Sequence, residues 1–141
     1  MRTNWIIYLF VVSMGLLIAA CSDEDIDTEK PMMIVYSPGE GQEFRPGDNI
    51  NFLAEFTDNV GLSEYKIDIH YGGDHEHKKH EDNLDSWHYE YIGELSGKEQ
   101  EVYLEIETPS ELRTGEYHFI VFLSDLSGNE SVGVIEIHIE Q

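Results

Sequence analysis

From Ile50 to the C-terminus the chain alternates apolar and polar residues with a period of two, in one short run after another. Ile50, Phe52, Ala54 and Phe56 are separated by Asn51, Leu53 and Glu55. Tyr65, Ile67, Ile69 and Tyr71 are separated by Lys66, Asp68 and His70, and Trp87, Tyr89 and Tyr91 by His88 and Glu90. The same pattern returns at Val102, Leu104 and Ile106, at Tyr117, Phe119, Val121 and Leu123, and at Ile135, Ile137 and Ile139. A strand sends alternate side chains to opposite faces, so each run predicts a half-buried strand. Met32–Tyr36 predicts one more ahead of them. Turn chemistry punctuates the series at 37–41, Arg45-Pro46-Gly47-Asp48, 57–61, Thr108-Pro109-Ser110 and 125–129. No helix of useful length is expected beyond residue 20. About seven short strands with regular turns predict an all-β antiparallel sandwich over residues 31–141.

The N-terminus reads differently. Arg2 precedes an uncharged run from Thr3 to Ala20, and Ile18-Ala19-Ala20-Cys21 resembles a lipobox. Residues 1–20 are therefore expected to be a lipoprotein signal peptide, with Cys21 lipidated and first in the mature chain. The polar, acidic stretch 21–30 is expected to be a flexible tether. Its opening, Ser22-Asp23-Glu24-Asp25, is similar to the export signal of surface lipoproteins, which implies display on the outer membrane rather than retention facing inward. Cys21 is the single cysteine, so neither an intrachain disulfide nor a multi-cysteine zinc site is available.

Asp and Glu number 29 against 8 Lys and Arg, a net charge of -21. Such a surface repels nucleic acid, whose phosphates need Lys and Arg. It also repels an anionic membrane, so the membrane link must come from the lipid on Cys21. Cations are concentrated around it. Solubility is the plainer reading of the same charge.

Gly115-Glu116-Tyr117-His118-Phe119, followed by Asp125-Leu126-Ser127-Gly128-Asn129, resembles the sixth strand and next turn of bacterial immunoglobulin-like and fibronectin-III-like domains. The resemblance implies that Tyr117 pins a corner. Together with the lipobox, the acidic tether and a His-rich loop, it makes the whole chain similar to a family of uncharacterised Bacteroidetes lipoproteins with an immunoglobulin-like domain. That likeness implies architecture and no activity.

In such a sandwich the third, sixth and seventh strands share a sheet, and the hairpin partner of the third extends it. His70, His88, His118 and His138 then have the same parity on four neighbouring strands and are expected on one outer face, in a rough row. Between the third strand and its partner lies the loop 72–88, which adds His75, His77 and His80. Neighbouring strands are about 4.8 Å apart, so two or three of the row, with loop residues as a lid, could converge on one ion. Asp68, Glu90 and Glu136 sit one step along the same face, to ligate or to orient a histidine through its second nitrogen. Imidazole and carboxylate without thiolate suit Zn²⁺, Cu²⁺ or Ni²⁺. Such binding weakens below about pH 6 as imidazoles take up protons.

The expected function is metal capture or handover at the cell surface, with an outer-membrane transporter or another surface protein as partner. The alternative is an adhesion or accessory module for protein or glycan, with incidental histidines. An enzyme is not expected. No cysteine nucleophile survives lipidation, and neither a Gly-rich phosphate loop nor a Ser/His/Asp set with catalytic spacing is present. The turns at Asp58–Gly61 and Asp125–Asn129 are expected at the end away from the histidines. They either cap their own backbone or bind Ca²⁺.

Overall fold

The computed structural model describes residues 26–73 and 87–141. The signal peptide, Cys21 and the loop histidines His75, His77 and His80 lie outside the described residues. Eight strands follow in order: β1 (Met32–Ser37), β2 (Gln42–Phe44), β3 (Asn49–Thr57), β4 (Leu62–Tyr71), β5 (Tyr89–Glu94), β6 (Glu99–Glu107), β7 (Gly115–Asp125) and β8 (Glu130–Ile139). They form a three-stranded sheet, β1-β3-β6, and a five-stranded sheet, β2-β8-β7-β4-β5. This is the strand order of an immunoglobulin-like sandwich, with β7 between β4 and β8 as expected.

β2 departs from expectation. Turn residues crowd both of its flanks and leave three residues, too few for periodicity to register. It pairs with β8 in parallel, through Gln42↔Ile137, Glu43↔His138 and Phe44↔Ile139, so one ladder of an otherwise antiparallel structure runs the other way. The chain thereby leaves the β1 sheet after Ser37 and joins the other sheet before returning to β3.

The core lies where the inward residues of the two sheets meet. Phe52 of β3 is fully buried. Its ring lies 5.6 Å from that of Phe119, 6.1 Å from Tyr65 and 6.4 Å from Phe56, which ties β3 to β4 and β7 across the sandwich. Burying aromatics of this size supplies much of what a domain of about 110 residues has to hold it. On β5, Gly93 sits opposite Tyr65 and has no room for a side chain, because a Cβ would overlap the Tyr65 ring. That glycine lets the hairpin partner of β4 close against the sheet.

The corner expected at Tyr117 is present. Its ring is fully buried and its hydroxyl donates a 2.9 Å hydrogen bond to the Arg113 carbonyl, four residues upstream. Burial pushes the phenol pKa up, so the hydroxyl stays a donor throughout the neutral range. Tyr117→Phe is expected to cost about 1–2 kcal/mol, because the Arg113 carbonyl loses a buried donor while the ring stays in place. Urea unfolding of the two proteins checks it, and an unchanged midpoint would show that the hydroxyl has no such role.

Candidate metal-binding face

The five-stranded sheet turns one face to solvent, and its register arranges the polar residues there in rows. Glu90, Asp68, Ile120 and Val134 lie opposite one another across β5, β4, β7 and β8. In the next row His70 pairs with His118, and His118 with Glu136. His88 immediately precedes β5 and continues this row beside His70, since Ile69 pairs with Tyr89. The following row pairs Glu116 with His138. All four histidines share the outer face, as their parity requires. His138 stands two residues further along, opposite Glu116 rather than His118.

Side chains gather most tightly around Asp68. His70 Nδ1 lies 2.7 Å from Asp68 Oδ1, and His88 Nε2 lies 3.7 Å from that oxygen and 3.8 Å from Glu90 Oε1. Asp68, His88 and Glu90 each offer a donor atom, and the three donors lie within 4.8 Å of one another. Burial works to raise the Asp68 carboxyl, and the hydrogen bond and positive potential of His70, with His88 and Lys66 beyond, outweigh it and hold the pKa below the usual value. Asp68 is thus an ionised hub, and His70 is the residue that orients it. The sequence left Asp68 two roles, to ligate directly or to orient a histidine, and the geometry puts its carboxylate at the centre of the group.

The rest of the row is looser. The His70 and His118 rings meet edge-on with centroids 5.6 Å apart. His118 Nε2 lies 3.4 Å from Glu116 Oε1, and His138 Nε2 lies 3.1 Å from Glu136 Oε1. Glu116 was missed from the sequence, although it precedes His118 by two residues, as Asp68 precedes His70 and Glu136 precedes His138. On β4, β7 and β8 a carboxylate and a histidine thus occupy adjacent outward positions, and at β5 Glu90 follows His88, which stands just before the strand. Gly72 closes over this group: its N–H donates to the Glu116 carbonyl at 2.9 Å, and a Cβ would press on the His118 ring and the Glu116 carboxylate. Lys66 is a resident cation, 2.7 Å from Glu90 Oε1 and 3.6 Å from Asp68 Oδ2. An ion held by Asp68, His88 and Glu90 has to displace that ammonium.

A family described as a domain of unknown function, DUF4625, matches residues 19–140. The chain belongs to the DUF4625 family. No curated protein matches this DUF4625 protein in sequence. Solved structures similar to it include OgpA from Akkermansia muciniphila, at 14% identity and a TM-score of 0.53, covering 80% of this chain and 30% of OgpA. The sporulation control protein Spo0M from Bacillus subtilis is similar at 14% identity and a TM-score of 0.51, over 79% of this chain and 49% of Spo0M. A β-glucosidase from Listeria innocua follows at 13% identity and a TM-score of 0.51, over 79% of this chain and 16% of the enzyme. The DUF4625 chain thus spans half or less of each of these proteins, and what it shares with them is the sandwich.

Proposed function

We propose that this DUF4625 protein is a lipid-anchored, surface-displayed immunoglobulin-like domain that takes a divalent transition metal on the outer face of its five-stranded sheet, for capture or for handover to an outer-membrane transporter or another surface protein. The observation that carries this reading is the convergence of Asp68, His88 and Glu90 within 4.8 Å, with His70 fixing Asp68 from behind. One imidazole and two carboxylates, held on a rigid sheet, form a mixed nitrogen–oxygen set of the kind Zn²⁺, Cu²⁺ and Ni²⁺ accept. His118, and His75, His77 and His80 of the loop, are the candidates to complete the coordination. Lys66 makes binding an exchange of one cation for another, which suits a site that must also release its ion. The lipid anchor rests on the sequence at Ile18–Cys21, and Cys21 lies within the family match.

Titrating the purified protein with each of the three metals tests the reading. At least one is expected to bind with a Kd of about 10 µM or tighter, and His88→Ala to weaken it about tenfold or more. Uniformly weaker binding, or binding that survives combined replacement of His70, His88 and His118 by alanine, would sink it. One observation favours the alternative of a binding module for protein or glycan: Ile92, Phe122, Val132 and Val134 are exposed on the same face, up to four residues along the strands from His70 and His118. If that is the true role, alanine at Phe122 and Val134 would abolish partner binding while the histidine variants leave it intact.

A further inference from the structure

At the opposite end of the sandwich three carboxylates meet. Asp27 precedes β1, Asp58 opens the turn between β3 and β4, and Asp125 ends β7. Each offers an oxygen, and the three oxygens lie within 4.8 Å of one another. Half of this group is accounted for as turn capping. Asp58 Oδ2 accepts from the Val60 and Gly61 N–H groups at 2.7 and 2.6 Å. Asp125 accepts from the Ser127 and Asn129 N–H groups, both at 2.8 Å, and from the Asn129 side-chain amide at 2.7 Å. Asp27 Oδ1 accepts from the Glu29 N–H at 3.1 Å and the Asn59 amide at 3.0 Å.

The other half is not accounted for. Asp27 Oδ2 and Asp58 Oδ1 are buried away from solvent and accept no hydrogen bond. A buried carboxylate oxygen without a donor is costly, and two beside a third buried carboxylate are costlier, because their charges repel. Among the described residues no ion pair reaches any of the three, and the neighbouring Lys98 ammonium is engaged 2.7 Å away on the Asn59 carbonyl. What fits the orphaned oxygens is a cation.

We propose that Asp27, Asp58 and Asp125 bind a calcium ion that fastens the segment before β1 to the end of the sandwich. The donors are all oxygen, which a hard cation requires. Ca²⁺ takes oxygens at about 2.3–2.6 Å, so two of its ligands can stand up to about 5 Å apart, which the observed spacing meets; Mg²⁺ demands about 2.0–2.1 Å and a tighter octahedron. The net charge of -21 raises the local cation concentration further. Asn129 binds the arrangement together, donating to the Asp27 carbonyl at 3.2 Å as well as to Asp125. This site is independent of the histidine face.

Thermal melting of the full chain with 1 mM calcium, 1 mM magnesium or a chelator tests the proposal. Calcium is expected to raise the midpoint by about 5 °C or more, and magnesium by less than half as much. Asp27→Asn lies outside every strand and keeps an oxygen for the Glu29 and Asn59 donors, so it leaves the sandwich folded. It is expected to weaken calcium binding at least tenfold, while His88→Ala leaves the calcium shift unchanged. No calcium shift would mean that water serves these oxygens and would overturn the proposal. Equal shifts from the two ions, or a calcium shift that survives Asp27→Asn, would mean screening of surface charge and would overturn it as well. So would loss of the shift in His88→Ala, which would place calcium on the other face.

Discussion

Phe52→Ala is expected to remove about 3–5 kcal/mol of folding free energy. Phe52 is fully buried, and its ring is the common neighbour of Phe56, Tyr65 and Phe119, so truncation opens a void between the sheets that none of them can fill without leaving its own place. Domains of this size hold together by roughly 5–15 kcal/mol, so the loss is about a fifth of the total or more. Equilibrium unfolding in urea measures it directly. A cost below about 1 kcal/mol would mean that the core collapses around the gap and that the aromatic cluster is not its centre. The same experiment bears on function, because the cluster anchors β4, the strand that carries both Asp68 and His70.

The second large effect is expected at Asp125. With chelator present, Asp125→Ala should cost about 2–4 kcal/mol, since the Ser127 and Asn129 N–H groups and the Asn129 amide all lose a charged acceptor in a buried turn. Burial works to raise the Asp125 carboxyl, and the hydrogen bonds from Asn129, Ser127 and Gly128 outweigh it and leave the pKa below the ordinary carboxylate value. A carboxyl depressed on folding stabilises the native state above its unfolded pKa of about 3.9 and loses that contribution as pH falls through the folded value. The advantage of the wild type over Asp125→Ala should therefore be constant from neutral pH to about pH 5 and shrink below about pH 4. Comparing the pair at each pH cancels the relief of repulsion among the other acids. A difference that stays level down to pH 2 would show that the charge on Asp125 contributes nothing.

The strands were legible because their side chains alternate, and alternation fixes faces. It placed His70, His88, His118 and His138 together on one side of one sheet, and counting back along antiparallel β4 and β7 from the end they share set His70 against His118. It could not fix position along a strand equally well. The turn after Asp125 sets the register of β8 at Ser124↔Glu130, which carries His138 past His118 to Glu116. A two-residue shift preserves the face, so parity gave no sign of it. Glu116 was hidden for a related reason: with His138 set opposite His118, Asp68, Glu90 and Glu136 all flank the row on one side and Glu116 falls on the other. β2 was hidden between two turns, and its parallel partner is remote in sequence. Asp27 was least visible, because it lies in an aperiodic stretch that reads as linker. Its contacts with Asn59 and Asn129 depend on strands folding elsewhere.

The attachment of Asp27 also sets a height. Cys21 and Asp27 are six residues apart, and six residues of fully extended chain span at most about 21 Å. Along β4, Leu62 pairs with Asp125 at the acidic pole and His70 lies eight residues away, roughly 26 Å along the strand. If Cys21 carries lipid, as proposed, the domain cannot wander over the membrane on a long leash. On that proposal it is moored by one pole at short range, with His70 and His118 toward the other.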